Sequence, residues 1–202
     1  MADLPIIQFN SWRDPLGYRL DNTKRAVIRN GRPGDKVDAL EPLKNKVLYS
    51  AFANEVVTPE SLLKFVRRFG SLTERGLDQG DDVHRVLWHA DQMRALLKIR
   101  SVQRKNRGQV KTFGFPNIVL HVAIDWERGA SAPRWVFRPT TFLDGLWLQL
   151  GQAITRGARL QTCRHCGEWF EVGYPSDRRL DSKFCSDEHR VQYNSLKRSK
   201  GE

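Results

Sequence analysis

Three cysteines and one histidine in the C-terminal part of the chain have the spacing of metal ligands. Cys163, Cys166, Cys185 and His189 form the pattern C-x2-C-x18-C-x3-H, which includes every cysteine of the 202-residue sequence. Three thiolates and one imidazole are the ligand types of a closed, four-coordinate structural zinc site. We therefore predict that the protein binds one structural Zn2+ through these four side chains.

The residues around these ligands predict the elements that would hold them. Cys163–Gly167 has the composition of a tight knuckle turn, and Trp169–Glu171 follows as a return strand. Ser186 is a good helix N-cap, so Cys185 and His189 would lie one turn apart at the start of a helix and face the same ion. A knuckle, a hairpin and a helix that supplies the last two ligands predict a treble-clef zinc finger.

The same pattern argues against a catalytic metal. A catalytic zinc keeps one coordination position open, whereas here four protein ligands are present. His189 and Asn194 invite comparison with nucleases that have a His-Asn-His centre, but the histidine that should precede the first strand is absent. We expect His84, His89 and His121 to be surface or hydrogen-bonded core residues. Because the N-terminal region shows no constellation of nucleophile and base, we predict that the protein is not an enzyme.

The charge of the chain favours a polyanionic partner. The formal net charge is +11, and a strongly basic balance commonly accompanies nucleic-acid binding. Residues 92–124 carry seven basic side chains and no acidic one, which is typical of a phosphate-facing surface but also of a solvated helix end and loop. The residues that we predict to contact nucleic acid are Arg178, Arg179, Arg190, Lys197, Arg198 and Lys200 in the finger, and Arg104, Lys105 and Arg107 within the acid-free stretch.

Hydrophobic periodicity predicts an α+β fold. Apolar residues at helical spacing predict helices near 59–69, 82–102 and 141–156. Thr58 and Thr141 are the predicted caps of the first and third helices, the charges of Asp81 and Asp82 suit the start of the second, and Gly157 is the predicted C-cap of the third. Alternating residues at 118–126 predict a strand with at least one strongly buried face, which pairs with residues 134–138 in a β-hairpin at 118–138. Residues 1–35 predict short strands or irregular structure.

These elements predict two parts. The first is a mainly helical N-terminal domain with a β-hairpin, residues 1–157, and the second is a small zinc finger, residues 158–202, entered through a short link at 158–162. The helices and the hairpin can form a core of their own. We therefore expect the metal to hold the finger, near residues 160–200, and not the whole chain.

The composition also predicts a compartment. No apolar run approaches the roughly 20 residues of a membrane span, so we expect no membrane association. Cysteines that all belong to a metal-ligand pattern leave none for a disulfide, which is typical of a reducing environment. We expect a cytoplasmic location.

The order of elements resembles bacterial proteins in which a helical and hairpin region, the ABATE domain, precedes a C-terminal CGNR-type zinc finger. Arg159–Cys163 leads into the finger, and Phe184–Ser186 looks like its second half. The sequence departs from that family in its knuckle spacing and in lacking the C-G-N-R string, where Glu188–Arg190 stands instead, with His189 in place of the last cysteine. The resemblance implies a transcription regulator that binds DNA through the finger.

Two hypotheses follow for the function. The leading one is a bacterial, cytoplasmic transcription regulator that binds duplex DNA through a basic helix and loop, with a structural zinc. The alternative is a zinc-stabilised module that binds RNA or another protein and has no enzymatic activity. Salt-dependent DNA binding would separate them. The sequence leaves open whether the protein forms homo-oligomers and whether its N-terminal domain binds a small-molecule ligand.

Overall fold

A computed structural model of the chain describes residues 6–32, 35–45, 47–73, 80–103, 116, 118–125, 134–173, 176 and 178–199. Within these ranges the fold is mixed α and β, with five α-helices and ten short strands. No helix in this part of the chain is long and apolar enough to cross a membrane. The predicted contact residues Arg104, Lys105, Arg107 and Lys200 lie outside the described residues.

The helices and strands have the following bounds. The helices are α1 (Leu48–Glu55), α2 (Pro59–Phe69), α3 (Val83–Gln103), α4 (Phe142–Thr155) and α5 (Asp187–Ser199). The strands are β1 (Ile6–Ile7), β2 (Ser11–Arg13), β3 (Tyr18–Leu20), β4 (Ala26–Arg29), β5 (Asp38–Leu40), β6 (Asp81–Asp82), β7 (Leu120–Asp125), β8 (Arg134–Pro139), β9 (Arg159–Thr162) and β10 (Trp169–Val172). They form four small sheets, with orders β1-β8-β7, β3-β4-β6, β2-β5 and β9-β10. Only the β1–β8 pair among the described strands is parallel.

One hydrophobic core joins the first four helices. Phe52 of α1, Phe65 of α2 and Phe142 of α4 are buried in it, together with Met93 of α3. The rings of Phe52 and Phe65 lie edge to face with centroids 5.3 Å apart, an arrangement that aromatic quadrupoles favour. Burial of each such side chain contributes about 1.5–3 kcal/mol. The first four helices therefore share one packed core.

Helix α2 occupies the range that the sequence predicts. The hydroxyl of Thr58 accepts a hydrogen bond from the amide of Ser61 at 3.2 Å, and the Ser61 hydroxyl accepts one from the amide of Thr58 at 2.9 Å. This reciprocal cap satisfies two amides that the helix leaves without partners. Pro59 takes the first helical position, where a missing N–H costs little. Gly70 ends the helix with φ at +89°.

Helix α3 lies close to the predicted range, but its start differs in chemistry. Asp82 accepts a hydrogen bond from the amide of Arg85 at 2.7 Å and caps the helix. Asp81, which we expected to act in the same way, is buried and accepts bonds from the amides of Leu72 and Thr73. Burial raises the pKa of Asp81, although these bonds oppose the shift. Asp81 therefore anchors the chain that follows α2 and does not stabilise the helix dipole.

Helix α4 begins with the predicted cap and contributes most of its surface to the core. The hydroxyl of Thr141 accepts from the amide of Asp144 at 3.1 Å, and the Asp144 carboxylate accepts from the amide of Thr141 at 3.2 Å. Farther along, the indole nitrogen of Trp147 donates to Nδ1 of His89 at 3.1 Å. His89 is therefore a hydrogen-bonded core histidine, as expected.

The hairpin predicted at 118–138 is present as β7 and β8, but its first strand lacks the buried face that we predicted, since none of residues 118–124 is buried. Val122, Ile124 and Trp135 share one side of the sheet and are 53%, 62% and 58% exposed. Val136 points to the other side and is fully buried. Alternation shows that one face of a strand is apolar, but it does not show whether another layer covers that face.

Candidate metal centre and basic surface

The first two cysteines lie in a turn between β9 and β10. These strands are antiparallel, with Thr162 opposite Trp169, so residues 158–162 are not the simple link that we predicted. The return strand needs a hydrogen-bonding partner, and β9 supplies it. Within the turn the amide of Gly167 donates to the carbonyl of Cys163 at 2.9 Å. Gly167 has φ at +77°, a conformation that suits glycine at a tight turn.

Two contacts bring the second half of the site against the first. The amide of Arg164 in the turn donates to the carbonyl of Lys183 at 3.0 Å. The ring of Phe184 lies 5.2 Å from the ring of Tyr193 on α5. The predicted cap of α5 is also present, since Ser186 Oγ accepts from the amide of His189 at 3.1 Å. The turn and the start of α5 therefore face each other.

The four predicted ligands come together between these elements. All four ligand atoms lie within 4.8 Å of one another. Sγ of Cys166 is 3.7 Å from Sγ of Cys185, and Sγ of Cys163 is 3.8 Å from Nδ1 of His189. Ligands placed at the usual zinc distances around a tetrahedral ion are separated by roughly 3.5–3.8 Å. The separation between Sγ of Cys185 and Nδ1 of His189 is shorter, at 2.9 Å, so this pair would open slightly. The four side chains could hold one metal ion.

The local environment shifts the thiol pKa values in opposite directions. Burial raises the pKa of Cys163, but hydrogen bonds from the backbone at Cys166, Cys185 and His165 outweigh it and lower that pKa to about 6. Burial and the neighbouring thiols raise the pKa of Cys185 to about 12. Three thiolates at this spacing repel one another. Thiols coordinate metals in the deprotonated form, and the positive charge of a bound cation would offset the repulsion between the thiolates.

The turn that ends α4 directs the chain into this module. Gly157, the predicted cap, has φ at +72°. Its amide donates to the carbonyl of Ile154 at 3.2 Å, and the amide of Ala158 donates to the carbonyl of Ala153 at 2.9 Å. These two bonds define a Schellman motif. Arg156, just before Gly157, is thereby placed beside β10.

The C-terminal module, residues 159–199, is fastened to the helical core through β10. The amide side chain of Asn54 on α1 donates to the carbonyl of Trp169 at 2.7 Å, and the hydroxyl of Tyr49 donates to the carboxylate of Glu171 at 2.8 Å. Glu171 is buried and also forms an ion pair with Arg156. A buried carboxylate is costly unless its partners satisfy it. The phenol and the guanidinium do so here, and they connect β10 to both α1 and α4.

The buried side-chain amide of Gln149 positions Tyr49 for its contact with Glu171. The backbone amide of Tyr49 donates to Oε1 of Gln149, whose Nε2 donates to the carbonyls of Leu43 and Asn45 at 3.2 Å and 2.8 Å. Our sequence prediction missed both Gln149 and Glu171. A polar residue inside the apolar face of α4 was the available signal for Gln149.

The predicted nucleic-acid residues that the structure describes are accessible. No residue of α5 is buried, and Arg190, Lys197 and Arg198 are exposed. Arg190 lies 3.4 Å from the carboxylate of Asp187, one turn earlier, in a solvent-exposed ion pair of the kind that contributes little to stability. Arg179 is exposed and Arg178 is half-buried.

Two further basic residues lie beside the metal site. Arg164 and Lys183 are exposed, and the hydrogen bond between their backbones makes them neighbours. The two residues are far apart in sequence, and only the pairing of the turn with the second half of the site brings them together. Sequence reasoning had no signal for this pair.

Part of the acid-free stretch at 92–124 has a structural role. Nε of Arg94 donates to the carbonyl of Ala53 at 2.9 Å, and another guanidinium nitrogen donates to the carbonyl of Val56 at 3.0 Å. Arg94 also forms an ion pair with Asp91. Arg94 thus satisfies carbonyls at the end of α1, so it is not available as part of a phosphate-facing surface.

Comparison with known proteins adds no assignment. No protein-family model, curated protein or solved structure matches this chain.

Proposed function

We propose that this protein is a bacterial, cytoplasmic DNA-binding transcription regulator with one structural Zn2+ in a treble-clef module. The observation that carries the proposal is the basic, fully accessible face of α5, which begins at the metal centre. The metal would fix the start of the helix through His189, and the buried carboxylate of Glu171 would fix the module to the core. The regulatory role is the function that the ABATE and CGNR-type resemblance implies.

The ligand chemistry supports structural zinc. Three thiolates and an imidazole are soft and intermediate donors, which suit Zn2+ better than Mg2+ or Ca2+. Four protein ligands leave no open position for water or substrate, so we assign the metal no catalytic part. Bound at Cys163, Cys166, Cys185 and His189, it would contribute folding free energy to the module.

The surface of α5 supports duplex DNA as the partner. Arg190 and Lys197 are seven residues apart, so they lie on one side of the helix, and Arg198 lies close beside them. An α-helix fits the major groove of B-DNA. Exposed basic side chains on such a helix neutralise phosphates and release counterions, which makes affinity fall with salt.

A salt titration of DNA binding tests this proposal. Fluorescence anisotropy of the zinc-loaded protein with a mixed-sequence duplex should give an affinity that falls steeply as salt rises. The variant Arg190→Gln/Lys197→Gln/Arg198→Gln should bind more weakly, and its slope should be reduced by about 0.9 for each phosphate that is no longer neutralised. The control Arg13→Gln/Lys24→Gln/Lys44→Gln removes three exposed charges from the N-terminal part and should leave the slope almost unchanged. Absence of duplex binding at low salt would overturn the proposal.

One observation favours a second candidate, a protein-interaction module. The apolar side of the β7–β8 hairpin is open, with Val122, Ile124 and Trp135 more than half exposed. Contiguous exposed apolar residues commonly mark protein interfaces. This candidate would be preferred if the wild-type protein failed to bind duplex DNA and the substitution Trp135→Ser abolished a specific protein contact.

A further inference from the structure

The exposed surface of α5 is divided into chemically different faces. At about 100° per residue, Arg190, Asn194 and Lys197 lie on one side, and Val191 and Arg198 border it. The opposite side carries Glu188, Gln192, Ser195 and Ser199. A third side, with His189 and Tyr193, is half-buried against the module. The first side therefore carries the basic residues of the helix, together with Asp187 at its N-terminal end, which pairs with Arg190, and an amide lies at its centre.

Asn194 at the centre of that face has no evident part in folding. It is exposed in the middle of a helix, where asparagine is less favourable than alanine. Within the described residues no hydrogen bond or ion pair involves its side chain. Its amide keeps both a donor and an acceptor available to a partner.

Val191 borders that side next to Asn194 and is 61% exposed. An apolar, β-branched side chain on an exposed helix surface is neither a good helix former nor well solvated. In the major groove, adenine offers an acceptor and a donor that match an asparagine amide, while thymine offers a methyl group that matches an apolar side chain. The two residues together match the two halves of an A·T pair.

The basic residues lie where they could contact phosphates on both sides of that pair. Arg190 and Lys197 are separated by about 10 Å along the helix axis, a distance comparable to the roughly 12 Å width of the major groove. Arg164 and Lys183 add two exposed charges beside the metal centre, near the N-terminal end of α5. Phosphate contacts of this kind orient a helix, and base contacts then provide the sequence preference.

We propose, resting on the DNA binding proposed above, that α5 enters the major groove and that Asn194 reads adenine. The side-chain amide donates to N7 and accepts from the N6 amino group, while Val191 contacts the methyl group of a thymine. Arg190, Lys197 and Arg198 contact phosphates and carry no sequence preference. The site is therefore specific for duplexes that contain an A·T pair at one fixed position.

Selection from a pool of duplexes with a randomised central segment tests this assignment. The full-length, zinc-loaded wild type should enrich one motif with a fixed A·T position. Asn194→Ala should lose the preference at that position on the order of tenfold, while its affinity for a mixed-sequence duplex should change little. Since Asn194 is exposed and alanine favours helices, this variant should fold normally, which circular dichroism and the thermal unfolding midpoint would check.

The matched control is Gln192→Ala, which removes a similar amide from the opposite side of the same helix. It should enrich the same motif as the wild type. If Asn194→Ala retained the wild-type motif, or if Gln192→Ala lost it, the base-reading assignment would be wrong although DNA binding stood. If the wild type bound no duplex, or bound single-stranded RNA of the same sequence more tightly, the DNA-binding proposal itself would fail.

Discussion

The hydroxyl of Tyr49 donates a hydrogen bond to the buried carboxylate of Glu171, across 2.8 Å and 122 positions of sequence. It joins α1, the first helix of the core, to β10, the strand that follows the turn containing Cys163 and Cys166. Arg156 completes the charge balance from the end of α4. The candidate metal centre is therefore built on a strand that the helical core holds in place.

Loss of the Tyr49 hydroxyl should destabilise the protein. Tyr49→Phe keeps the ring in its buried position but leaves the Glu171 carboxylate with one partner fewer. We expect a loss on the order of 1–3 kcal/mol, the usual cost of removing a hydrogen bond from a buried charged group, measured by urea denaturation. The control is Tyr193→Phe on α5, whose half-buried ring has no hydroxyl partner among the described residues. Equal stability of Tyr49→Phe and the wild type would show that the contact contributes nothing.

Metal removal should affect the two halves of the C-terminal module differently. α5 buries none of its residues, whereas β10 is bonded to α1 through Asn54 and Glu171. We expect a chelator to accelerate amide exchange in α5 and in the turn at 163–167, while amides of the β9–β10 ladder stay protected. This outcome is narrower than the release of residues 160–200 that the sequence predicts. Exchange of β9, β10 and α5 as one unit would instead support that broader expectation.

Metal content should be one zinc per chain, held by all four predicted ligands. Elemental analysis of protein purified without chelators measures it. His189→Ala should weaken zinc binding by more than about 100-fold, since loss even of an outer partner of a ligand can cost 10–100-fold. His165→Ala is the matched control, because the rings of His165 and His189 lie only 4.8 Å apart. Equal zinc loss in both variants would mean that the ligand set is assigned wrongly.

Patterns that depend on neighbours in sequence could be predicted. The caps at Thr58, Thr141 and Ser186 follow from residue types within one helical turn, and each is present. The ligand set follows from the same local chemistry. The knuckle turn alone places Cys163 beside Cys166, and the capped helix start alone places Cys185 beside His189. In the structure all four ligand atoms lie within 4.8 Å of one another.

Features that depend on tertiary burial could not be predicted. Helix α1 has only eight residues, which is shorter than the window of about 11–18 residues over which a helical period can be recognised in a sequence. Because α1 was not predicted, its residue Tyr49 could not be predicted as the hydrogen-bond partner of Glu171. The buried role of Asp81 and the exposed side of β7 were misjudged because sequence pattern does not show which surfaces other layers cover.

The backbone at Gly70 should tolerate no side chain. Its φ of +89° and ψ of 178° belong to a region that is essentially restricted to glycine. An added Cβ would also lie 2.5 Å from the carbonyl oxygen of Trp12 and 2.6 Å from Oγ of Ser11. We expect Gly70→Ala to cost about 3 kcal/mol or more, measured as a drop in the thermal unfolding midpoint.

Gly151 provides the matched control for that substitution. It lies within α4, and a Cβ there would meet nothing within 4 Å. Gly151→Ala should therefore stabilise the protein by about 0.5–1 kcal/mol, because alanine loses less backbone freedom in a helix. Similar effects of the two alanines, in either direction, would contradict the geometry assigned to Gly70.

The buried histidine of the core should make stability depend on pH. Burial, assisted by the nearby charge of Arg85, lowers the pKa of His89 from 6.5 to about 4. The unfolded chain therefore binds a proton at a higher pH than the folded chain. The contribution of His89 is fully present above about pH 6.5 and is lost as pH falls towards 4, with a total on the order of 2–3 kcal/mol.

Comparison of the wild type with His89→Asn isolates the titration of His89, because the carboxylates and the candidate metal ligands titrate in both proteins. The asparagine oxygen can replace Nδ1 as the acceptor for the indole of Trp147, but it does not titrate. Urea denaturation from pH 4 to pH 8 should show that the stability difference between wild type and variant is constant above pH 7 and shifts in favour of the variant as pH falls. A difference that is independent of pH would mean that His89 accepts a proton as readily in the folded protein as in the unfolded chain, and that its burial against Trp147 does not govern its charge.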